Sequence, residues 1–302
     1  MNILITGANG FLGSSFIKFS LKENNIFALS EHNNNLSDVI DKIKYTSSNL
    51  KNYCNYYNEI CNFEPDIVIL FGWSGANSYK SVNDINQYYD NIPYCMDFLN
   101  FINGLKKKPK FVGIGSFAEY GVYDKQISET DFENPNNFYG LTKLTYKKYS
   151  ELFCLQNNID WMWVRPCFVY GPYDVKTRLI PTIIQKCLKN ETIELDECNK
   201  TIDYLYIDDF VKILYQLINK NVTDVYNICS GNQYYLKNVI DLIVKLTNSE
   251  SEIIYNKQLN RTNIKNDMIC GNNQKIKKII GDIRLLCIEE GIKKTIEFYH
   301  EK

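Results

Sequence analysis

Short apolar runs alternate along this chain with longer stretches whose apolar positions recur every three or four residues. Asn2-Ile3-Leu4-Ile5, Asn25 to Ser30, Ile67 to Leu70, Phe111 to Ile114 and Trp161 to Val164 read as strands. The run from Ile67 to Phe71 is unbroken, as expected of a strand covered on both faces. Phe16, Ile17 and Leu21 continue from the first strand as a helix with one apolar side. A polar, asparagine-rich segment with a short helix follows the second strand. A long helical stretch is expected from about Asp84 to Gly104, and Tyr139-Gly140-Leu141-Thr142-Lys143 opens another helix. Strand–helix alternation of this kind predicts an α/β, doubly wound parallel sheet with right-handed crossovers. Beyond Pro172 the texture changes. Leu179, Ile180, Ile183, Ile184, Cys187 and Leu188 give one helix, and Val239, Ile240, Ile243, Val244 and Leu246 give another, amphipathic one.

The first strand runs straight into Thr6-Gly7-Ala8-Asn9-Gly10-Phe11-Leu12-Gly13. A strand, a tight glycine turn and a helix start form a phosphate cradle, because the helix opening offers unpaired N–H groups and the positive end of its dipole. Bare Cα atoms at Gly7 and Gly10 let a pyrophosphate approach the backbone, and Gly13 lets helix and strand pack closely. The alternative is a strand–helix turn without a ligand. About 20 residues further on, where dinucleotide folds place an acid against the adenosine ribose, stands Ser30-Glu31-His32. Glu31 can take the ribose hydroxyls and repel a 2′-phosphate, or be a plain solvated carboxylate. Ser30 and His32 can instead line a phosphate pocket, so NAD and NADP both stay open.

A net charge of −1 gives no electrostatic case for nucleic acid or an anionic membrane. Lys106-Lys107-Lys108 reads as a solvated loop. The 302 residues, 45% hydrophobic and 23% charged, suffice for one large domain or two modest ones. Ten scattered cysteines without a Cys-x-x-Cys pair, and only two histidines, exclude metal-ligand spacing and suggest reduced thiols in a cytoplasmic protein. A strand starting at residue 2 leaves no room for a signal peptide. No apolar run reaches the roughly 18 residues of a membrane helix.

Tyr139 and Lys143 are one helical turn apart, so one face presents both. A free phenol, with a pKa near about 10, is a poor acid–base group at neutral pH. A neighbouring ammonium lowers it. Ser116, at the end of the 111–114 strand, can hydrogen-bond a carbonyl oxygen and hold it near the phenol. Tyr146 and Tyr149 read as surface or packing residues.

The glycine spacing 7, 10 and 13, Ser116, then Tyr139 with Lys143, in this order, resembles the extended short-chain dehydrogenase/reductase family. So do Val225 to Gly231, close to the family's Tyr-Asn-Ile-Gly-Ser-Gly strand, and the closing helix through Phe298-Tyr299. Tyr204 to Asp209 is similar to the family's returning strand and the start of its next helix. The resemblance covers nearly the full chain and implies a Rossmann-like sheet with a smaller C-terminal α/β lobe. Residues 1–170, joined by about 201–230, would bind NAD(H) or NADP(H), and 171–302 would mainly bind substrate. Cofactor contacts would come from Gly7, Asn9, Gly10, Phe11, Leu12, Glu31, Asn49, Leu50, Phe71, Gly72, Trp73, Asn91, Tyr139, Lys143 and Pro166. Asn49-Leu50 stands where relatives have Asp-Leu or Asp-Val, and Asn91 where they brace the active-site backbone. Phe71-Gly72-Trp73 replaces Leu-Ala-Ala, so the bulk of Trp73 reshapes the pocket.

The resemblance further implies a nucleotide-sugar substrate held by Ser116, Phe117, Phe168, Arg178 and Arg261, and a homodimer formed through the Tyr139 helix and the 84–104 stretch. Both arginines can equally be surface residues. Phe168 replaces a substrate-side asparagine, and Ile202 an arginine. Family 4,6-dehydratases need an Asp-Glu pair where this chain has Phe117 and Ala118. A 3,5-epimerase needs a further acid–base pair that His32 and His300 do not supply. What remains is chemistry at C4 by serine, tyrosine and lysine: reduction of a nucleoside-diphosphate-4-keto-6-deoxysugar, 4-epimerisation, or, in another class, non-catalytic dinucleotide sensing.

Overall fold

The structure is a computed structural model describing residues 1–49, 51–75, 79–256 and 268–300. In chain order the first part contains β1 (Asn2–Thr6), α1 (Phe11–Ser20), β2 (Asn25–Ser30), β3 (Lys44–Ser47), α2 (Tyr57–Phe63), β4 (Ile67–Leu70), α3 (Tyr79–Val82), α4 (Asn86–Tyr89), α5 (Ile92–Asn103), β5 (Lys110–Ile114), α6 (Phe138–Gln156) and β6 (Trp161–Pro166). Then come β7 (Phe168–Tyr170), α7 (Leu179–Leu188), β8 (Ile193–Leu195), β9 (Thr201–Ile202), β10 (Tyr204–Tyr206), α8 (Ile207–Asn219), β11 (Asp224–Ile228), β12 (Tyr234–Tyr235), α9 (Leu236–Thr247), β13 (Ile253–Tyr255), β14 (Met268–Ile269), α10 (Gln274–Ile280) and α11 (Ile288–His300).

Seven strands form one sheet in the order β3-β2-β1-β4-β5-β6-β11, and β3 through β6 of that order pair in parallel. This is the Rossmann-like doubly wound arrangement expected from the alternation of elements. Leu4, Phe27, Val68, Phe111 and Trp163 share a core with Ile60 of α2, Phe98 of α5 and Tyr146 of α6. The intervening Ile3, Ile5, Ala28, Ile69, Val112 and Met162 are buried as well, so both faces are covered. Strand order reverses between β1 and β4, which opens a crevice beyond their carboxyl ends.

Three details depart from expectation. The 84–104 stretch is broken into α4 and α5, with Asn91 as the non-helical N-cap of α5 and a proline in its first turn. Pro93 has no N–H for a continuing ladder and restricts the residue before it, so the helix restarts there. The third strand, β3, is a polar, half-exposed edge whose apolar pattern is too weak to read. Tyr204–Tyr206 does not return to the large sheet. It pairs in parallel with β7, and β11 is the strand that joins β6.

The chain divides into two compact units: 1–121, 132–166 and 211–226 in the first, and 122–131, 167–210 and 227–302 in the second. In the second unit the Tyr170 ring packs edge-on against Tyr204 and Tyr206. Its buried Asp203 carboxylate accepts hydrogen bonds from the Ser230 N–H and hydroxyl and from the Gly231 and Gly271 N–H groups. Among the described residues, no helix is long and apolar enough to cross a membrane.

Candidate active site

The crevice is built first from missing atoms. Gly7 has φ +64°, and a Cβ there would stand 2.5 Å from Gly72 N. The turns leaving β1 and β4 therefore nest backbone to backbone, with Gly72 N donating to Thr6 Oγ1 at 3.3 Å. A Cβ on Gly13 would lie 2.5 Å from Gly7 O, so α1 also sits directly on the turn. In this fold Gly7 serves the contact with the β4 exit, a role the spacing alone does not reveal. Gly10 is the N-cap of α1, with no side-chain cap and no acidic residue in the first turn. That helix end keeps its amide N–H groups and positive dipole for an anion, which fits the diphosphate of a dinucleotide. Phe11 is buried and Leu12 half-buried in the same turn. Asn9 ties down the loop after β2: its Oδ1 accepts from Asn35 N and its carbonyl from Asn35 Nδ2, each at 2.8 Å.

At the end of β2, exposed Glu31 accepts from Asn49 Nδ2 at 2.7 Å. Two residues expected beside the adenosine thus meet. Leu50 lies outside the described residues. Ser30 Oγ donates to His32 O at 2.7 Å.

Beyond β4, Phe71 packs on Phe16 of α1. Asn91 clamps the next loop, its Oδ1 accepting from Ser74 N at 2.7 Å and its Nδ2 donating to Ser74 O and Gln87 O. The Trp73 ring reaches Lys143, whose Nζ lies 3.6 Å from the ring centroid.

The second half of the site is where β5 ends. Ser116 caps a 3-10 turn over Phe117–Glu119: its Oγ accepts from Ala118 N, while Glu119 Oε1 accepts from Ser116 N at 2.8 Å. This is a capping box. Helix α6 starts against that turn, capped by Asn137, whose Oδ1 accepts from Gly140 N at 2.8 Å. A Cβ on Gly140 would stand 2.2 Å from Ala118 O. Only glycine at this position lets the first turn of α6, which carries Tyr139, rest on the Ser116 turn. One turn on, Lys143 Nζ donates to Ile114 O at 2.7 Å and lies 5.9 Å from the Tyr139 ring centroid. Burial pushes the Lys143 ammonium down to about 7, against the opposing pull of the Glu119 carboxylate. Tyr146 is fully buried and donates to Cys95 O, a packing role. Pro166 ends β6, half-buried.

The sequence reading missed the group behind Ser116. Arg165, fully buried in β6, donates from Nε to Glu119 Oε2 at 2.7 Å and from Nη2 to Glu133 Oε1. Its guanidinium stacks 4.3 Å from the Tyr120 ring centroid, and Trp163 Nε1 donates to both Glu119 oxygens. Burial opposes the guanidinium's charge, but Glu119, Tyr120 and Glu133 outweigh it and hold Arg165 above its ordinary range. Burial alone would raise the Glu133 carboxyl, yet Arg165 and Lys147 pull it below its usual range. Two signals were in the sequence: the Ser-x-x-Glu spacing of Ser116 and Glu119, and an arginine inside an apolar strand, which requires a counter-ion.

Phe117 is buried with its ring against Tyr120 and carries no acid–base group. In the second unit, Phe168 is 40% exposed with its ring edge toward Tyr204. Arg178 is the N-cap residue of α7 and pairs with buried Asp174 at 3.3 Å. Arg261 lies outside the described residues.

The sequence model of the NAD dependent epimerase/dehydratase family matches residues 3–229. The chain is 25% identical over 288 residues to the GDP-6-deoxy-D-talose 4-dehydrogenase of Aggregatibacter actinomycetemcomitans, covering 93% of this chain and 92% of that one. It is 28% identical over 268 residues to a putative UDP-glucose 4-epimerase of Methanocaldococcus jannaschii, covering 84% and 85%. In fold it is similar to the UDP-glucuronic acid 4-epimerase of Bacillus cereus solved with UDP-glucuronic acid and NAD. The TM-score is 0.89 at 19% identity, over 100% of this chain and 99% of that one.

Proposed function

Because the chain belongs to the NAD dependent epimerase/dehydratase family, we propose that it is an NAD(P)H-dependent reductase of a nucleoside-diphosphate-4-keto-6-deoxysugar. The observation that supports this reading is the seating of α6 on the Ser116 turn through Gly140, with Lys143 Nζ on the Ile114 carbonyl and 5.9 Å from the Tyr139 ring centroid. The uncapped start of α1 would hold the cofactor's diphosphate, and Glu31 with Asn49 its adenosine side. Reduced nicotinamide, when bound, supplies the hydride that C4 receives. Ser116 Oγ accepts from Ala118 N and keeps its own hydrogen to donate to the C4 carbonyl oxygen. Tyr139 gives its phenolic proton to that oxygen, and Lys143 tunes the phenol. Phe117 and Ala118 offer no acid or base for water elimination, which argues against a 4,6-dehydratase. The relative named as a 4-dehydrogenase of a GDP-deoxysugar supports redox chemistry at the same carbon. Arg178 would meet the substrate's diphosphate.

A second reading, a nucleotide-sugar 4-epimerase, draws support from the relative of that name. It would keep tightly bound NAD through purification and need no added reductant. Incubation with 4-keto nucleotide sugars and each reduced nicotinamide separates the two. In the reductase, Tyr139→Phe should cut kcat by about 10²- to 10⁴-fold and leave dinucleotide binding intact. Near-normal turnover would refute the assignment. Exposed Leu141, Leu152 and Leu155 on α6 and Tyr88 and Tyr89 on α4 would form the homodimer face, and light scattering of a monomer alone would remove it.

A further inference from the structure

The side chain of Trp73 is anchored in a way that simple space-filling does not require. Its Nε1 donates to Gln87 Oε1 at 3.0 Å. Gln87, itself buried, donates from Nε2 to Ser81 O at 3.0 Å and to Gly75 O. Gly75 has φ +75°, and a Cβ there would stand 2.6 Å from Gln87 Nε2, so the backbone yields to the amide. Held in this way, the indole presents its face to Lys143 Nζ at 3.6 Å and meets the Tyr139 ring edge-on, with centroids 6.5 Å apart at 85°.

We propose that Trp73 is a positioning residue: its indole face keeps the Lys143 ammonium charged and fixed beside Tyr139. A tryptophan face is the best aromatic partner for a cation, and the attraction grows as water is removed. Lys143 sits where that attraction counts, since burial brings its titration to about 7. Among the described residues, the groups facing it are Cys95 from α5, Glu119 from the 117–119 turn, Tyr139 from its own helix, the Ile114 carbonyl and the Trp73 ring. Glu119 is already committed to Arg165, Trp163 and Ser116 N, and the burial of Cys95 pushes its thiol up to about 12, which leaves it neutral. The ring and the Ile114 carbonyl are therefore the groups in direct contact with Nζ that favour its charge, and of the two the ring is the one a side-chain substitution removes. The consequence for proton transfer rests on the reductase reading; the effect on Lys143 does not.

The test is an NMR titration of the full chain labelled with 13C at lysine Cε, with the Lys143 signal assigned by its loss in Lys143→Met. Trp73→Leu should move the Lys143 midpoint down by about one pH unit. Gln87→Leu, which keeps the ring but frees it, should move it in the same direction by less. An unmoved or raised midpoint in a cooperatively folded Trp73→Leu overturns the proposal. If Trp73→Leu does not fold, Trp73→Phe takes its place: a smaller downward shift supports the proposal and an unmoved midpoint overturns it. In the reductase, the pH profile of kcat/KM should shift by the same amount as the NMR midpoint. A shifted midpoint with no 4-keto sugar reduced leaves this inference standing and removes the reductase reading.

Discussion

Two strand ends in the same sheet share close glycine contacts and differ in what is added to them. Where β1 and β4 end, contact is made by absence: Gly7 meets Gly72 and Gly13 meets Gly7 at distances no Cβ would allow. Where β5 and β6 end, Gly140 also yields to Ala118 O, but charge is added: Glu119 gathers Ser116 N, Trp163 and Arg165, and Arg165 reaches on to Glu133. The first end exposes backbone N–H groups to an anion, and side chains there would be in the way. On the proposed reading the second holds a hydroxyl, a phenol and an amine in register, and a buried ionic network gives directional restraint that apolar packing lacks.

The largest effect expected on stability is at the charged end. Arg165→Met leaves Glu119 and Glu133 without their guanidinium and should cost about 3–5 kcal/mol in denaturant unfolding. Adding Glu119→Gln should restore part of it, because an uncompensated buried charge costs more than a neutral group. A loss below about 1 kcal/mol for the single variant would break the contrast between the two ends. At the glycine end, Gly7→Ala combines a backbone clash with a left-handed φ and should cost about 3 kcal/mol. A wild-type melting temperature there would show that the nested turns yield easily.

Lys143 sharpens the comparison through pH. Its folded-state titration, lowered to about 7, lies well below that of an unfolded lysine near about 10.4. Below pH 7 both states are charged and the native state bears the full cost of burying the ammonium. As pH rises above that value the native protein sheds the proton first, so stability climbs, by at most about 1.4 kcal/mol per pH unit. Lys143→Met should therefore gain most on wild type in acid and lose that advantage toward pH 10, as read from unfolding curves across that range. A pH-independent difference would place the titration elsewhere. The smallest effect is expected for Asn137→Ala, which removes the cap of α6 and should cost about 1 kcal/mol.

The glycine turn, the strand–helix alternation and the Tyr139/Lys143 pair were legible because each is local. A turn, a strand or one helical turn is specified by a few neighbouring residues. The break at Pro93 was not read, because the apolar positions on either side of it masked a rule that proline states plainly. The third strand was hidden by its position at a half-exposed edge, where no buried face imposes a pattern.

By itself, the sequence determined the alternation of the buried strands with helices, the glycine turn after the first strand and which helix carries the phenol and the amine, since short-range sterics and periodicity decide those. Only the tertiary structure decided that Gly140 lets α6 touch the Ser116 turn, that Gly7 yields to Gly72, and that Arg165 joins Glu119 to Glu133. Arg165 stands 46 residues along the chain from Glu119 and 32 from Glu133, and their meeting depends on how strands are ordered in the sheet, which no local pattern encodes. Burial, likewise, is a property of the assembled fold, and it is burial that turns an ordinary lysine at 143 into one titrating near neutrality.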